Sequence, residues 1–485
     1  MQFNSIAFAI VFPIAVLLYR LIPQKFRYVW LFVASAAFYC SHSGSLILLV
    51  FSSVVITYIT GIAIPKASSN KAKKAILICA LVVSLAVLFV YKYLGFTAGL
   101  LGSDVKFDIV MPLGISFYTF SALSYMIDVY KEKIQPERNI IKLAMYLMFF
   151  LSIVSGPINR AGDIIPQFDK ESLPDLDKIK TGMQKMLWGY FLKLAIAGRL
   201  AIAVDNVYAD PGAHTGFEVA VAALFYMFML YCDFEGYSQI AIGGGYILGI
   251  DMKENFRQPF FATSMSDVWR RWHVSLSTWF RDYLYIPLGG SRCSKMRKYI
   301  NLLIVLFVSG IWHGANLTFF AWGLLNGIFI VVGQILLPYR DSLASRIKEK
   351  CCKSDKGRKS FDSFRIILQR TGVYILFSYV FIYFANDSIA NAYLSVKAIL
   401  TRFSFSGAYG AITSLGLGRF NLALTLMMIL FVMIADGAAN KRSCDTPSLI
   451  KNIPAVLRWV IYYALVTAIL FSANLSGKEF IYSKM

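Results

Sequence analysis

Long apolar stretches separated by short polar ones run through the whole chain. A helix needs roughly 20 apolar residues to cross the hydrocarbon layer of a bilayer, and most of these stretches approach that length. The pattern predicts an all-helical integral membrane protein of about eleven spans. The clearest apolar runs cover residues 5–22, 28–40, 46–64, 75–93, 109–130, 143–154, 183–204, 217–234, 237–250, 373–385, 420–434 and 456–471.

Two polar interruptions stand out. Gly156-Pro157 must end a helix, and irregular backbone at membrane depth persists only where protein or a water-filled cavity satisfies its polar groups. The segment CDFEGYSQ, residues 232–239, divides two apolar runs and carries Asp233 and Glu235. Ionisable groups beside apolar sequence are often functional, but an interfacial break between two helices is an equally good interpretation.

Composition supports the membrane class, because 58% hydrophobic and 15% charged residues depart from the roughly 45–50% and 25% of soluble proteins. The net charge of +21 lies mostly in short loops, which is the positive-inside pattern of membrane proteins. We therefore do not expect nucleic-acid binding. Segment 340–370 holds ten Lys and Arg against four Asp and Glu and predicts a cytoplasmic basic loop facing anionic lipid. We expect one polytopic domain over 1–485, with its catalytic core at about 109–337.

The segment from Ser264 to Gly327 contains two Trp-His pairs, Trp272-His273 and Trp312-His313. The first lies in a pattern typical of an amphipathic helix with interfacial aromatics and cations. Ser264 and Asp267 have the spacing of a capping pair, and the helix is expected to stop at 287–290. His273 falls on the aromatic face and should point into the protein.

The second pair is predicted to lie at the apex of a helical hairpin. His313 comes fourteen residues after Tyr299, roughly 20 Å along a helix. An unbroken helix from Tyr299 to Leu337 would be about 57 Å long, almost twice the roughly 30 Å core. The chain must therefore turn near 314–316.

A buried imidazole near neutrality is suited to remove a proton from a hydroxyl. The alternative is that each histidine only makes a hydrogen bond inside a helix bundle. Two such pairs flanked by glycines favour the functional interpretation. We predict no metal site, because two histidines need further ligands.

Several long motifs resemble the membrane-bound O-acyltransferase (MBOAT) family, specifically its bacterial alginate O-acetylase-like branch. The resemblance extends over most of the chain. The motifs are PLGISFYTF at 112–120, ALSYMIDVY at 122–130, SGPINRAGDIIPQF at 155–168, DFEGYSQIAIG at 233–243, WRRWHVSLSTWFRDYLYIPLGG at 269–290 and SGIWHGAN at 309–316.

The resemblance implies the MBOAT fold, with re-entrant or interfacial helices around a central tunnel, in the bacterial cytoplasmic (inner) membrane. It implies acetyl transfer from a cytoplasmic thioester, acetyl-CoA or an acyl carrier, with no permanently bound cofactor. The acceptor would be hydroxyls of an extracytoplasmic polysaccharide, reached through an SGNH-hydrolase-like partner. D-alanyl transfer to teichoic acid, a transporter or export component with a histidine proton relay, and a scaffold for an acetylation complex are the alternatives.

The resemblance also assigns roles to residues of the central segment. It makes His313 the catalytic residue, which we interpret as the general base, with His273 as a second functional position that assists. We expect Arg281, Asp282 and Asn316 to shape a polar lining. The other predicted substrate-binding residues are Trp272, Trp312 and Tyr285.

Overall fold

A computed structural model describes residues 2–103, 109–169, 174–405 and 415–472. Within those ranges every regular element is a helix, which confirms the predicted all-α class. The chain divides into two compact units: Met1–Ala195 with Asp233–Glu254 and Trp459–Met485, and Ile196–Cys232 with Asn255–Arg458. The expectation of a single domain stays a prediction.

The first unit is built mainly from short and medium helices. Tyr39, Val50 and Tyr118 belong to an apolar cluster in this unit and are almost fully buried. The side chains of Ser5 and Ser69 cap the first and fourth helices. The helices are α1 Ile6–Leu21, α2 Gln24–Ser43, α3 Ile47–Lys66, α4 Asn70–Lys92, α5 Leu94–Leu100, α6 Ile115–Tyr130, α7 Ile140–Met148, α8 Ala161–Ile164 and α9 Leu176–Tyr190.

Longer helices follow. A π-helical segment, Phe191–Ala197, joins α9 to α10, and another, Arg281–Tyr285, extends α13. The remaining helices are α10 Gly198–Ala209, α11 Gly216–Leu248, α12 Met265–Arg271, α13 Val274–Phe280, α14 Lys295–His313, α15 Leu317–Cys351, α16 Asp355–Ala385, α17 Ile389–Thr401, α18 Arg419–Arg442 and α19 Ala455–Ser472.

Eight helical stretches in the described part of the chain are long and apolar enough to cross a membrane. The predicted number of about eleven is not confirmed. Many of their outward side chains are large and apolar; Phe420 is 78% and Leu470 is 75% exposed. Apolar surface of this extent suits contact with lipid rather than water. The chain is therefore a multi-pass membrane protein.

The polar segment around Asp233 does not break a helix, so the interpretation as an interfacial break is wrong. Helix α11 continues through it for 33 residues, or about 50 Å. Both carboxylates are buried within the first unit: Lys193 forms a salt bridge with Asp233, and Gln239 Nε2 donates to Glu235 Oε1 at 2.7 Å. Each carboxylate thus has a polar partner on one of its oxygens, and the helix continues through the segment without an exit to water.

The predicted interruption at Gly156-Pro157 is confirmed, although the irregular backbone begins earlier, after Met148. Protein groups satisfy part of this buried segment. Tyr146 Oη donates to the carbonyl of Asn159 at 3.1 Å, and Asn159 Oδ1 accepts from the amide of Lys253 at 3.0 Å. The segment therefore meets the condition for irregular backbone in a membrane protein.

The basic segment 340–370 is helical rather than an irregular loop. Helix α15 continues to Cys351 and α16 begins at Asp355, so only residues 352–354 connect them. The two helices are linked by ion pairs between Lys348 and Asp362 and between Arg365 and Asp341. Leu, Arg, Lys and Glu favour helix, which explains why a charged segment leaves the apolar layer without unfolding.

Candidate active site

The hairpin predicted around the second Trp-His pair is present. Helix α14 ends at His313, and α15 begins at Leu317. Its two arms approach closely: a Cβ atom added to Gly323 would lie 2.5 Å from the Leu306 carbonyl oxygen and 3.0 Å from Gly310 Cα. Small residues allow such backbone contact between membrane helices. The glycines thus fix His313 at the end of a tightly paired hairpin.

His313 lies in an aromatic cage. Its side chain is buried, with 3% of its surface exposed. The ring centroids of Trp312 and Trp322 lie 4.9 Å from that of His313, and that of Phe384 lies 5.2 Å away, all in edge-to-face orientation. Edge-to-face pairs contribute about 0.5–1.5 kcal/mol each beyond burial. Three of them hold the imidazole in a defined orientation.

The first Trp-His pair does not lie within one helix, so the predicted continuous amphipathic helix to 287–290 is wrong. The chain breaks between α12 and α13, where His273 has left-handed backbone angles, φ 45° and ψ 52°. For a residue other than glycine this conformation costs on the order of 1–3 kcal/mol and occurs most often at functional sites. The predicted start is confirmed, because Ser264 Oγ accepts from the amide of Asp267 at 3.1 Å.

Neighbouring backbone stabilises this break. Asn255 is fully buried, its carbonyl accepts from the amide of Val274 at 2.8 Å, and its side-chain Oδ1 accepts from Ser275 Oγ at 2.6 Å. The amide of Arg257 donates to the carbonyl of Arg271 at 2.9 Å. Segment 255–257 therefore braces both sides of His273 and maintains its unusual conformation.

The two histidines share one neighbour. The ring centroid of His273 lies 6.2 Å from that of Trp312, and the Trp312 ring also contacts the His313 ring. His273 is 1% exposed. Burial lowers the pKa of His273 to about 3, because charging a desolvated ring is unfavourable. Its imidazole is therefore neutral near pH 7 and acts as a polar but uncharged group.

Trp272 faces a different environment from its neighbour. Its ring packs against the rings of Phe256, Phe377 and Phe381 at 5.0, 5.2 and 5.6 Å, and the side chain is 2% exposed. These contacts make Trp272 part of the aromatic core behind the break at His273. Its predicted role in substrate binding stays a prediction.

Asn316 organises the hairpin turn. Its Oδ1 accepts from the amide of Thr318 at 3.0 Å, which caps α15, and its Nδ2 donates to the carbonyl of Asp387 at 2.7 Å. An N-cap of this type contributes about 0.5–2 kcal/mol. The residue connects the turn beside His313 to the start of α17.

The polar residues predicted after α13 lie in the π-helical segment Arg281–Tyr285. Arg281 Nε pairs with Asp282 Oδ1 at 2.8 Å, with the Arg281 side chain 59% exposed. Tyr285 Oη and Ser291 Oγ are 2.9 Å apart. Among the described contacts, none joins these three residues to either histidine. The structure thus groups His273, Trp312 and His313, and the predicted roles of Arg281, Asp282 and Tyr285 stay predictions.

Sequence reasoning missed the residues that complete the cage. Trp322 lies six residues after the SGIWHGAN motif, and its ring centroid lies 5.6 Å from that of Trp269 in α12. Phe384 lies near the end of α16, about seventy residues after His313. Nothing in the local pattern distinguishes Phe384 from other aromatic residues of apolar helices. Only tertiary structure brings it to the imidazole.

The arrangement of the two histidines is suited to proton transfer. It places two imidazoles in a buried, largely aromatic environment, one at the end of the α14–α15 hairpin and one at the break between α12 and α13. An imidazole held in one orientation can accept a proton from a hydroxyl that approaches within hydrogen-bond distance. Low polarity around it strengthens that interaction relative to water.

Comparison with known proteins connects this site to a family. The family model described as "MBOAT, membrane-bound O-acyltransferase family" matches residues 35–348, which is more than half of the chain and includes both histidines. The chain is 37% identical over 347 residues to "Probable alginate O-acetylase AlgI" of Pseudomonas aeruginosa, covering 69% of this chain and 66% of that protein. The match therefore spans just under two thirds of that relative's length.

More distant relatives carry related names. A peptidoglycan O-acetyltransferase of Helicobacter pylori is 31% identical over 338 residues, 63% of this chain and 64% of that protein. A teichoic acid D-alanyltransferase of Bacillus subtilis is 27% identical over 277 residues, 54% of this chain and 69% of that protein. These names support the prediction of an O-acyltransferase enzyme.

Proposed function

Because this chain belongs to the membrane-bound O-acyltransferase family, we propose that it transfers an acetyl group from a cytoplasmic thioester to hydroxyls of an extracytoplasmic polysaccharide. The membrane would be the bacterial cytoplasmic membrane. The observation that carries the proposal is the position of His313. It ends α14 at the tip of a hairpin and lies in an aromatic cage. Trp312 is part of that cage and also lies next to His273.

The reaction assigns a definite task to His313. A hydroxyl oxygen of the acceptor attacks the thioester carbonyl, a C–O bond forms, and the C–S bond breaks. The hydroxyl proton passes to the His313 imidazole, which then gives it to the departing thiolate, so that a thiol leaves and the neutral imidazole is restored. General-base assistance of this kind contributes typically 10²–10⁴-fold to the rate.

His273 would assist without becoming charged. Its burial favours the neutral ring, which can donate one hydrogen bond and accept another. Its ring centroid lies 6.2 Å from that of Trp312, whose ring also contacts the His313 ring. We propose that it orients the acyl group or the acceptor hydroxyl rather than removing the proton.

Acetyl-CoA or an acetylated carrier is the proposed donor. Both are anionic, and the chain carries a net charge of +21 with many bases in short polar segments. Such segments belong on the cytoplasmic side by the positive-inside rule. An SGNH-hydrolase-like protein on the other side of the membrane is the proposed partner that passes the acetyl group to the polysaccharide.

Two other functions remain as competing proposals. D-alanyl transfer to teichoic acid would use the same imidazole on a different acyl group, and one relative with 27% identity carries that activity in its name. A transporter or export component would use the histidines in a proton relay. It would move substrate without forming a covalent bond.

Reconstitution separates these functions. The full chain is placed in sealed liposomes with a labelled thioester on one side and polysaccharide, with the partner, on the other. Acetyl-CoA and a D-alanyl carrier thioester are compared as donors. We expect covalently labelled polysaccharide with acetyl-CoA and no dependence on an imposed membrane potential.

Two results would contradict the proposal. Labelling only from the D-alanyl donor would assign the chain to teichoic acid modification. Potential-dependent movement of unmodified substrate, with no label on the polysaccharide, would assign it to transport. Liposomes without the chain provide the background for each arm.

A further inference from the structure

A large open cleft lies in the second unit. Its volume is about 960 Å³. The first residues of α12 and α14 line one side, and the facing parts of α15 and α16 line the other. None of His273, Trp312 and His313 is among the described residues that line it. The cleft is therefore distinct from the proposed reaction site.

The floor of the cleft is apolar. It includes Phe329, Ile330, Leu337 and Leu343 of α15 and Phe364 of α16. Leu343 and Phe364 are 59% and 57% exposed. Exposed apolar surface of this kind marks an interaction site in a soluble protein or a lipid-facing surface in a membrane protein.

The rim carries positive charge. Arg270 of α12, Lys298 of α14 and Arg340 of α15 all line the cleft. Arg365 also lines it but is paired with Asp341. Within the described part of the chain, no salt bridge involves Arg270, Lys298 or Arg340. Three positive charges are therefore available to an anion.

Arg340 lies at a different depth from Phe329 and Ile330, the apolar lining residues nearest the hairpin tip on the same helix. Along α15, residue 340 lies about 35 Å from residue 317 by helix rise, just beyond a hydrocarbon core of roughly 30 Å. Ile330 lies about 15 Å nearer the hairpin tip. If α15 crosses close to the membrane normal, Arg340 reaches the headgroup level while Ile330 and Phe329 stay among acyl chains.

We infer that this cleft binds one anionic glycerophospholipid. Its acyl chains lie along the apolar floor, and its phosphate contacts Arg270, Lys298 and Arg340. Basic pockets between membrane helices bind anionic headgroups in this manner. A thioester donor is the less suitable occupant, because its reactive group must reach His313, which does not line the cleft.

Lipid binding is measured by native mass spectrometry of the full chain in detergent, without acyl donor. The probes are dioleoyl phosphatidylglycerol and dioleoyl phosphatidylcholine, which share their acyl chains and differ in net charge. The test variant is Arg270→Gln/Lys298→Gln/Arg340→Gln. Its matched control, Arg346→Gln/Lys350→Gln/Lys353→Gln, removes the same charge from exposed positions of the same region outside the cleft.

We expect wild-type protein to bind phosphatidylglycerol more tightly than phosphatidylcholine. Each basic side chain near the surface is worth about fivefold in affinity, so the test variant should bind phosphatidylglycerol roughly a hundredfold more weakly. The control triple variant should keep most of the wild-type preference.

A second pair of variants tests the apolar floor. Gly333 lines the cleft, and a Cβ atom there would meet no atom within 4 Å. Gly333→Phe should therefore fold and exclude lipid from the cleft. Gly99 of α5 has the same free space and lies outside the cleft, so Gly99→Phe should bind lipid like the wild type.

Three results would overturn the inference: equal affinity for the two lipids, equal loss in both triple variants, or undiminished binding by Gly333→Phe. Displacement of phosphatidylglycerol by coenzyme A in the wild type, with coenzyme A binding lost in the test variant, would make the cleft a donor site and would also overturn it. His313→Ala should bind lipid normally, so a failure of acyl transfer is distinguishable from a failure of lipid binding.

Discussion

Close contact between α14 and α15 makes a quantitative prediction for Gly323→Ala. The new Cβ would lie 2.5 Å from the Leu306 carbonyl oxygen and 3.0 Å from Gly310 Cα. Comfortable carbon–carbon contacts are about 3.5–4.0 Å, and carbon–oxygen contacts are about 3.3–3.6 Å. The two helices must therefore separate by roughly 1 Å, because both opposing atoms belong to the backbone and cannot rotate away.

Two opposing energies determine the result. Alanine favours helix over glycine by about 1 kcal/mol, whereas overpacking typically costs 1–3 kcal/mol. With rigid backbone on the opposite helix, we expect the upper part of that range and a net loss of about 1–2 kcal/mol. Activity should fall further, because His313 lies three residues beyond Gly310, and a 1 Å misplacement can cost about a hundredfold in rate.

The assay is thermal unfolding in detergent together with the initial rate of acyl transfer. Gly333→Ala is the matched control in the same helix, since its Cβ would meet no atom within 4 Å. It should raise the unfolding midpoint slightly and leave the rate unchanged. If Gly323→Ala matched that control in both measurements, the close helix contact and its role in placing His313 would be refuted.

Three further predictions concern other parts of the molecule. Trp312→Ala should lower the transfer rate about a hundredfold, because both imidazoles lose a shared neighbour. Trp312→Phe should keep a rate within about tenfold of the wild type. Equal rates for the two variants would contradict this prediction. Asn316→Ala should lower the free energy of unfolding by about 0.5–2 kcal/mol through loss of the helix cap, and Asn316→Asp should retain most of the wild-type stability. A raised KM with an unchanged unfolding midpoint in both variants would instead support a role in substrate binding. Lys193→Met or Asp233→Val alone should lower the free energy of unfolding by about 3–5 kcal/mol, because each leaves one buried charge of the salt bridge without its partner. The double variant should recover most of this loss in a thermal unfolding measurement. Additive losses in the double variant would contradict the argument.

The hairpin at His313 was predictable from the length of the apolar run together with its turn residues. The run from Tyr299 to Leu337 is almost twice as long as the bilayer core is thick, and Gly314 and Asn316 supply the turn. The cap at Ser264 was likewise visible in local spacing. Features that depend on helix rise, capping and apolar length are local, so sequence expresses them directly.

The break at His273 was not predictable in the same way. Its segment has helical periodicity on both sides, and the left-handed backbone depends on contacts with Asn255, which is eighteen residues away. The continuity of α11 through Asp233 similarly depends on Lys193 from another helix. Where distant partners decide whether a polar group is satisfied, the local pattern cannot distinguish a break from a buried pair.

The central claim is that the His313 imidazole removes the proton from the acceptor hydroxyl. Its most direct test is the rate of acetyl transfer by purified His313→Ala in liposomes, at matched protein amount and with an unchanged unfolding midpoint. His42→Ala, which replaces an exposed histidine of α2, is the control. We predict that the transfer rate of His313→Ala is lower than that of the wild type by about 10²–10⁴-fold and that His42→Ala retains wild-type activity. Undiminished transfer by correctly folded His313→Ala would contradict the account.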